Sequence, residues 1–404
     1  MAKTIWTVGD NHGGQVLSET DPSDNIYAQH INEMRESINK LEDLAHFGAI
    51  RNAADFSNDI NLADDDLGDQ PGSIFCPPGE FTMTKELQSP YRYIVGCGKD
   101  NTVISLTQSA TNMLTYISKT ALYNFFGVKD LRLRGNGLCN SVISLTQDYS
   151  YLEGLDLSDA VHSCIYSTKS HAYITRVNTN LATYALYSYT DFIGSILDNF
   201  RNNTCLHGVN LDHQGDLNPQ GVIIKNSEIF APGGNGVQIV DGQFCVIDKT
   251  VLDVRDVGVK LLSGSFGGCI QTKILHNYIN GSSSVNSDGN GIIASAGSGD
   301  LTIDDNCIEN FKGWGIQIQA SVSAYVNALK MTKNVCATNT IGDAIVDSNL
   351  HGDISGNTFP HTTRAFEEVA TYGNATNIVQ RNTFGHAPVK SPASHYSKNW
   401  GDDI

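Results

Sequence analysis

Several things are scarce in this chain, and each scarcity closes a class of explanation. No apolar run approaches the roughly 20 residues that a membrane-spanning helix needs, so the sequence predicts no membrane insertion. The opening residues, Met1 to Trp6, lack the basic flank and apolar stretch of a secretory signal. Charged residues make up only 17% of the chain, below the usual quarter. The charge that is present leans acidic, with 43 Asp and Glu against 26 Lys and Arg and a net −17. A field of that sign repels phosphate backbones and predicts no nucleic-acid partner. No Cys-x-x-Cys pair occurs and no Cys/His spacing suits a metal, so no metal or other cofactor is expected. The nine cysteines are widely spaced and mostly sit beside Ile, Val or Phe, which predicts buried free thiols in a chain folded in a reducing cytoplasm.

Aromatics at 8% and hydrophobics at 40% suffice for a core, and Asn, Ser, Thr, Asp and Gly are plentiful. That profile is turn-rich and all-β. One helix stands out near the start, over residues 25–45. Tyr27, Ile31, Met34, Ile38, Leu41 and Ala45 recur at alternating spacings of four and three, a heptad seam. Isoleucine at two successive a positions leans toward trimers; the other reading is an amphipathic helix lying on its own domain.

A repeat then takes over. An Asn or Asp just before a buried apolar position recurs at Asn226, Asp248, Asn277, Asn306, Asn334, Asn357 and Asn382, at intervals of 22 to 29 residues that average 26. Between them falls a second phrase, Gly followed by alternating residues, as in Gly208-Val209-Asn210-Leu211 and Gly236-Val237-Gln238-Ile239. A short strand, a turn holding Asn, a second strand, then Gly and a third strand describe one coil of a parallel β-helix. Asn suits the turn because it tolerates the left-handed conformation and can bond to the next Asn along the stack. Residues 73–385 hold about twelve such coils.

The segment Phe47-Gly48-Ala49, then Ile60, then Gly72 to Phe81 (GSIFCPPGEF) resembles the opening of the pectate-lyase-like β-helices, although their intervening Gly-Asp-Gly and Thr-Asp-Asp are missing. With the heptad helix and the many coils, it is similar to the bacteriophage tailspikes of that superfamily. The resemblance implies a right-handed coil and a homotrimer joined to a phage tail or baseplate through its N-terminus, located in the virion tail. Its expected partner is a bacterial surface polysaccharide. The domains implied are an attachment segment with its trimerising helix (1–45), the β-helix (46–385) and a polar tail (386–404). The fold hosts several chemistries and selects none. The Asn-Thr-Asp and Gly-His-Gly of polygalacturonases, the Asp-Pro-His-Glu of mannuronan epimerases and the Arg-x-Pro-x-x-Arg of pectate lyases are all absent.

If the apolar residues of the Gly phrases point inward, Tyr166, Tyr187, Tyr189, Asn210, Asp212, Gln238 and Lys260 point outward on consecutive coils. Tyrosines offer apolar faces and hydroxyls to sugars. Asp212 with Asp216 or Asp241 is the expected carboxylate pair for endo-glycosidic hydrolysis, and His213 lies on the adjoining loop. In a lyase reading Lys260 neutralises a uronate while His213 or Tyr187 takes its C5 proton. The third alternative is a receptor-binding spike without catalysis. Glu153, Asp156, Asp159 and His162 read as a solvated turn face. Asp304 and Asp305 read as structural, and Trp314 as either a sugar platform or a packing residue.

Overall fold

In a computed structural model the chain is described at residues 55–56 and 72–399, apart from 90–91, 117–125, 170, 191, 214–217, 282–288, 296, 320–326, 348–349, 370–376, 391–393 and 398. The helix expected over 25–45 and the Phe47–Ala49 motif lie outside the described residues. From Gly72 the chain winds through three parallel sheets of 14, 13 and 12 strands, each sheet taking every third strand until the last coil. This is a right-handed parallel β-helix, and the twelve strands of the third sheet mark the twelve complete coils that the repeat predicts. The opening segment supplies the first two strands, Gly72–Phe75 in the first sheet and Gly79–Met83 in the second. Phe56 lies flat on Phe81 with ring centroids 4.2 Å apart and so covers the end of the core.

Alternation along each strand sends every second side chain inward, and parallel register puts like on like. Leu152, Ile174, Leu197, Ile224, Ile247, Ile274, Ile303 and Met331 follow one another along the first sheet, all fully buried. The recurring Gly of the third sheet has a steric cause. A Cβ added at Gly208, Gly236, Gly258 or Gly291 would stand 2.1, 2.7, 2.5 or 2.4 Å from the carbonyl oxygen of the next such glycine. Only a residue without Cβ lets the coils close to that distance.

The turn between first and second sheets departs from expectation in one respect. The left-handed residue comes before the inward polar one: Asn226, Lys249, His276, Asp305, Lys333 and Arg381 adopt φ of 50, 50, 54, 55, 55 and 57°. Asn226 is therefore a turn residue, and Asp248 ends the strand Val246–Asp248; Ser227 and Thr250 hold the two ladder positions expected of them. From Asn277 the ladder is made of asparagines. Nδ2 of Asn277, Asn306, Asn334 and Asn357 donates to Oδ1 of the next Asn at 2.9, 2.9, 3.0 and 2.9 Å. The last step runs from Asn382 to Asn399 at 3.1 Å.

That last step also corrects the boundary expected at 386. His395–Ser397 pairs with Asn377–Gln380 in the first sheet, and Tyr396 Oη donates to the buried Glu368 at 2.6 Å. The supposed tail is part of the stack. The nine cysteines are all free, seven of them buried, with Cys97 and Cys307 partly exposed. Burial pushes the Cys76 and Cys245 thiols up to about 12. No helix among the described residues is long and apolar enough to cross a membrane.

Candidate functional site

The third sheet presents one outward side chain per coil in unbroken register. From the first coil to the last these are Gln88, Thr115, Ser144, Tyr166, Tyr187, Asn210, Gln238, Lys260, Ile293, Gln317, Ile345 and Glu367. Tyr166, Tyr187, Asn210, Gln238 and Lys260 thus occupy one continuous row, as the alternation predicts. Tyr189 lies just past the strand Tyr184–Ser188 and is exposed.

The middle of the row is aromatic. The rings of Tyr166 and Tyr187 lie within 8° of parallel, with centroids 6.1 Å apart. Tyr184 leans on Tyr187 at 5.0 Å and stacks on His207 at 4.9 Å, while His162 meets Tyr187 edge-on at 4.9 Å. Sequence reading missed Tyr184 and both histidines as part of this ridge. In Tyr184–Ser188, Ala185 and Leu186 are both buried, so strict alternation is interrupted and Tyr184 emerges beside Tyr187.

Recesses flank the ridge on both sides. On one side the row falls from Tyr166 to Ser144, and a cleft of about 340 Å³ opens against Tyr166 and His162, lined by Asn112, Asn140, Ser141 and Ser144. On the other, a recess of about 110 Å³ is lined by Tyr184, His207, Val209, Asn210, Asn235 and Gln238. Gln238 Nε2 donates to Asn210 Oδ1 at 2.9 Å, and Asn235 Nδ2 to Gln238 Oε1 at 3.2 Å. The Asn235 N–H points at Nδ1 of His207 from 3.2 Å. Burial above all, aided by Lys260 and opposed by Asp256, holds the His207 pKa below its ordinary value, which fits a ring accepting that proton. Burial lowers His162 in the same way.

Tyr187 Oη donates to Asp212 Oδ2 at 3.2 Å. Burial and then the Asp212 carboxylate push this phenol well above its usual range, so it stays a donor. Asp212 Oδ1 also accepts the His213 N–H at 2.8 Å. Lys260 has no ion-pair or hydrogen-bond partner among the described residues and is the sole cation of the row; Glu367, its sole acid, is paired with Arg364 at 2.5 Å.

The other expected site residues lie elsewhere. Asp241 is 0% exposed, and it accepts the N–H groups of Gly264, Phe266 and Gly268 at 2.7, 2.9 and 2.8 Å. His213 Nδ1 stands 3.1 Å from the same carboxylate, beneath the ring of Phe266 at 4.6 Å. Burial alone would raise the Asp241 pKa, but these four donors hold it below the ordinary value. A carboxylate so enclosed anchors the loop over it and has no face to offer a sugar. Asp241 and His213 therefore leave the exposed surface on which the outward reading put them. Asp216 lies outside the described residues. The acidic run, read as one turn face, is divided: Glu153 ends a first-sheet strand, Asp156 opens a second-sheet strand, and Asp159 and His162 lie in the turn before the third-sheet strand Ser163–Ser167. Glu153 pairs with Lys129 at 2.9 Å and with Arg176, Asp156 with Arg132 at 3.0 Å, and His162 enters the aromatic ridge. Trp314 is buried, with the Arg364 guanidinium 4.7 Å above its ring, which settles its role as packing. No cluster of metal-ligating side chains occurs among the described residues.

Neither protein-family models nor the curated proteins provide a match to this chain. Solved structures do. The A-module of the Azotobacter vinelandii mannuronan C-5 epimerase AlgE6 superposes with a TM-score of 0.59 at 15% identity, covering 88% of this chain and 98% of that one. PfbA, a surface adhesin of Streptococcus pneumoniae, gives 0.52 at 12%, covering 85% and 89%. The Dettilon tailspike protein gives 0.51 at 13%, covering 86% and 67%. At such identities the likeness is one of fold, and it spans an epimerase, an adhesin and a tailspike alike.

Proposed function

We propose that this chain is the receptor-binding spike of a bacteriophage and that the outward face of its third sheet grips a bacterial surface polysaccharide. The observation that carries the reading is the five-ring ridge of His162, Tyr166, Tyr184, Tyr187 and His207 with a polar recess on either side. Rings supply apolar contact to sugar C–H surfaces, and the flanking amides and hydroxyls supply directional hydrogen bonds. Lys260, four coils beyond Tyr166 or about 19 Å at the usual strand spacing, suits an acidic substituent of the same glycan. The trimer and the attachment to a phage tail belong to the same proposal and rest on the heptad seam of residues 25–45. Virion-tail location follows from them.

Binding without cleavage is the reading the geometry favours. Glycoside hydrolysis needs two carboxyl groups across the scissile bond, and Asp212 is the only one of the three expected carboxylates that reaches the ridge among the described residues. Hydrolysis remains the second reading, on the strength of the Tyr187–Asp212 hydrogen bond beside the ridge. Both are tested together by measuring capture and end-group release on capsular or O-antigen polysaccharide. Tyr187→Ala should weaken capture about 5–30-fold by deleting a contact face worth about 1–2 kcal/mol. Asp212→Asn should leave capture within about twofold, and no new reducing ends should appear with either protein. Release of reducing ends that Asp212→Asn abolishes would establish hydrolysis instead, and equal capture by Tyr187→Ala would place binding away from the ridge.

A further inference from the structure

The cleft beside Tyr166 has features that the general groove reading does not require. Its floor residue Ser144 is 2% exposed and lines the cleft, and its hydroxyl makes no hydrogen bond to another described residue, so it is open to whatever fills the space. The ring nitrogens of His162, the phenol of Tyr166 and the exposed amide of Asn140 also lack partners among the described residues while lining the same space. By contrast Asn112 Nδ2 is engaged with Thr115 Oγ1 at 3.1 Å, and Ser141 with Ser163 at 3.0 Å, so they form fixed walls. The open donors and acceptors thus surround one aromatic plane.

The charge of the cleft narrows the ligand. No Asp, Glu, Lys or Arg lines it. Behind the wall, the Glu86 carboxylate accepts from Thr115 Oγ1 and from the Asn112 N–H at 3.4 Å, placing negative charge where an anion would be repelled. Burial keeps His162 below and Tyr166 above their ordinary pKa values, so both lining groups that can titrate are neutral near pH 7.

We infer that this cleft is a subsite for one uncharged pyranose ring, stacked on Tyr166 and hydrogen-bonded to Ser144, His162 and Asn140. The inference rests on the glycan-binding reading of the third sheet and adds to it a fixed polarity: neutral sugar at the Tyr166 end, acidic sugar toward Lys260. The subsite should respond to single sugars, which the extended groove binds too weakly to hold.

Saturation-transfer NMR on the full chain tests it, with methyl glucopyranoside, N-acetylglucosamine and glucuronate as millimolar probes. Transfer is expected to one or both uncharged sugars and not to glucuronate. Ser144→Ala should weaken that signal about 5–10-fold through one lost hydrogen bond, and Asn140→Trp, at an exposed position compatible with folding, should abolish it by filling the mouth. Glu228→Gln, exposed on the second sheet, should leave it unchanged. Uncharged-sugar binding that survives Asn140→Trp, transfer to glucuronate alone, or no transfer to any probe would overturn the subsite. Loss of polysaccharide capture in Tyr187→Ala alongside any of these results would leave the groove reading standing without it. Conversely, cleft binding of single sugars with no polysaccharide capture by the native protein would support the subsite and remove the groove.

Discussion

Replacing Asn306 by Ala should destabilise the stack far more than a polar-to-apolar change at a turn normally does. The Asn306 side chain donates from Nδ2 to Ile274 O at 2.9 Å and to Asn334 Oδ1 at 2.9 Å. Its Oδ1 accepts from the Asn277 N–H at 3.0 Å and from Asn277 Nδ2 at 2.9 Å. Two of these partners have alternatives, because Asn277 Nδ2 also reaches Ile247 O and Asn334 Oδ1 also receives the Asn306 N–H. The Asn277 N–H is left unsatisfied at a cost of about 1–3 kcal/mol, while the Ile274 carbonyl keeps its strand bond to the next coil and loses a second bond worth about 0.5–1.5 kcal/mol. The expected loss is therefore about 1.5–4.5 kcal/mol, a large share of a typical domain stability of about 5–15 kcal/mol. Asn306→Ser supplies the internal control. At the equivalent position Ser227 Oγ accepts the Phe200 N–H at 3.1 Å, so a hydroxyl can serve the Asn277 N–H while giving up the second bond to Ile274 O. Its loss should be about half that of Ala. Urea denaturation gives the two differences, and amide exchange at Asn277 reports the local opening, since a solenoid coil depends mainly on its neighbours. Equal losses for Ala and Ser, or a loss under about 1 kcal/mol for Ala, would show that the amide chain contributes only shape.

Three further outcomes follow from the same structure. Burial raises Asp343 to about 6 despite the His361 N–H at 2.6 Å and the Asn339 amide at 3.2 Å, both of which favour its ionised form. A raised carboxyl stabilises below its unfolded value and loses that contribution as pH climbs through about 6, on the order of 3 kcal/mol between pH 4 and 7; the stability difference between native protein and Asp343→Asn should shift in that window, and a pH-independent difference would refute the assignment. The seven buried thiols should resist a thiol reagent in the native protein and react fully in denaturant, with Cys97 and Cys307 the first to label; rapid native labelling of Cys245 or Cys269 would contradict their burial. Asp241→Asn should release the loop over His213 by turning one acceptor oxygen into a donor facing backbone N–H groups, visible as faster proteolysis near Phe266 and a loss of about 2–4 kcal/mol for a buried charge-assisted cluster; unchanged loop protection would count against the anchor role.

What the sequence could show depends on how far apart the determining residues stand. The 26-residue period announces the coil because each coil repeats the same local problem, and the Gly phrases fix phase because the close approach at Gly208 or Gly291 admits no Cβ. Phase alone placed Tyr166, Tyr187, Asn210, Gln238 and Lys260 on one row. It was less able to locate the ladder, since neighbouring residues share the turn. Asn226 suits the left-handed position as well as Asn277 suits the inward one, and only pairing between coils tells them apart. The C-terminal stretch carries no Gly phrase, so Asn399 gave no sign of closing a ladder begun at Asn277.

The carboxylates illustrate the limit most clearly. Asp212 and Asp241 look alike in sequence, each following the apolar end of a third-sheet strand. Their fates are decided by what comes after them in space. Tyr187, one coil earlier, offers Asp212 a phenol beside the ridge, whereas residues 263–268, one coil later, fold over Asp241 and point three backbone N–H groups at it. Three such donors in a dry site stabilise the carboxylate strongly enough to offset its desolvation, and in doing so they occupy the lone pairs that acid–base or nucleophilic chemistry would need. A carboxylate used by the fold in this way is unavailable to a substrate. On the proposed glycan-binding reading, the surface left to do the binding is the ridge and its clefts, and rings, amides and hydroxyls with a single ammonium at the Lys260 end would set its selectivity.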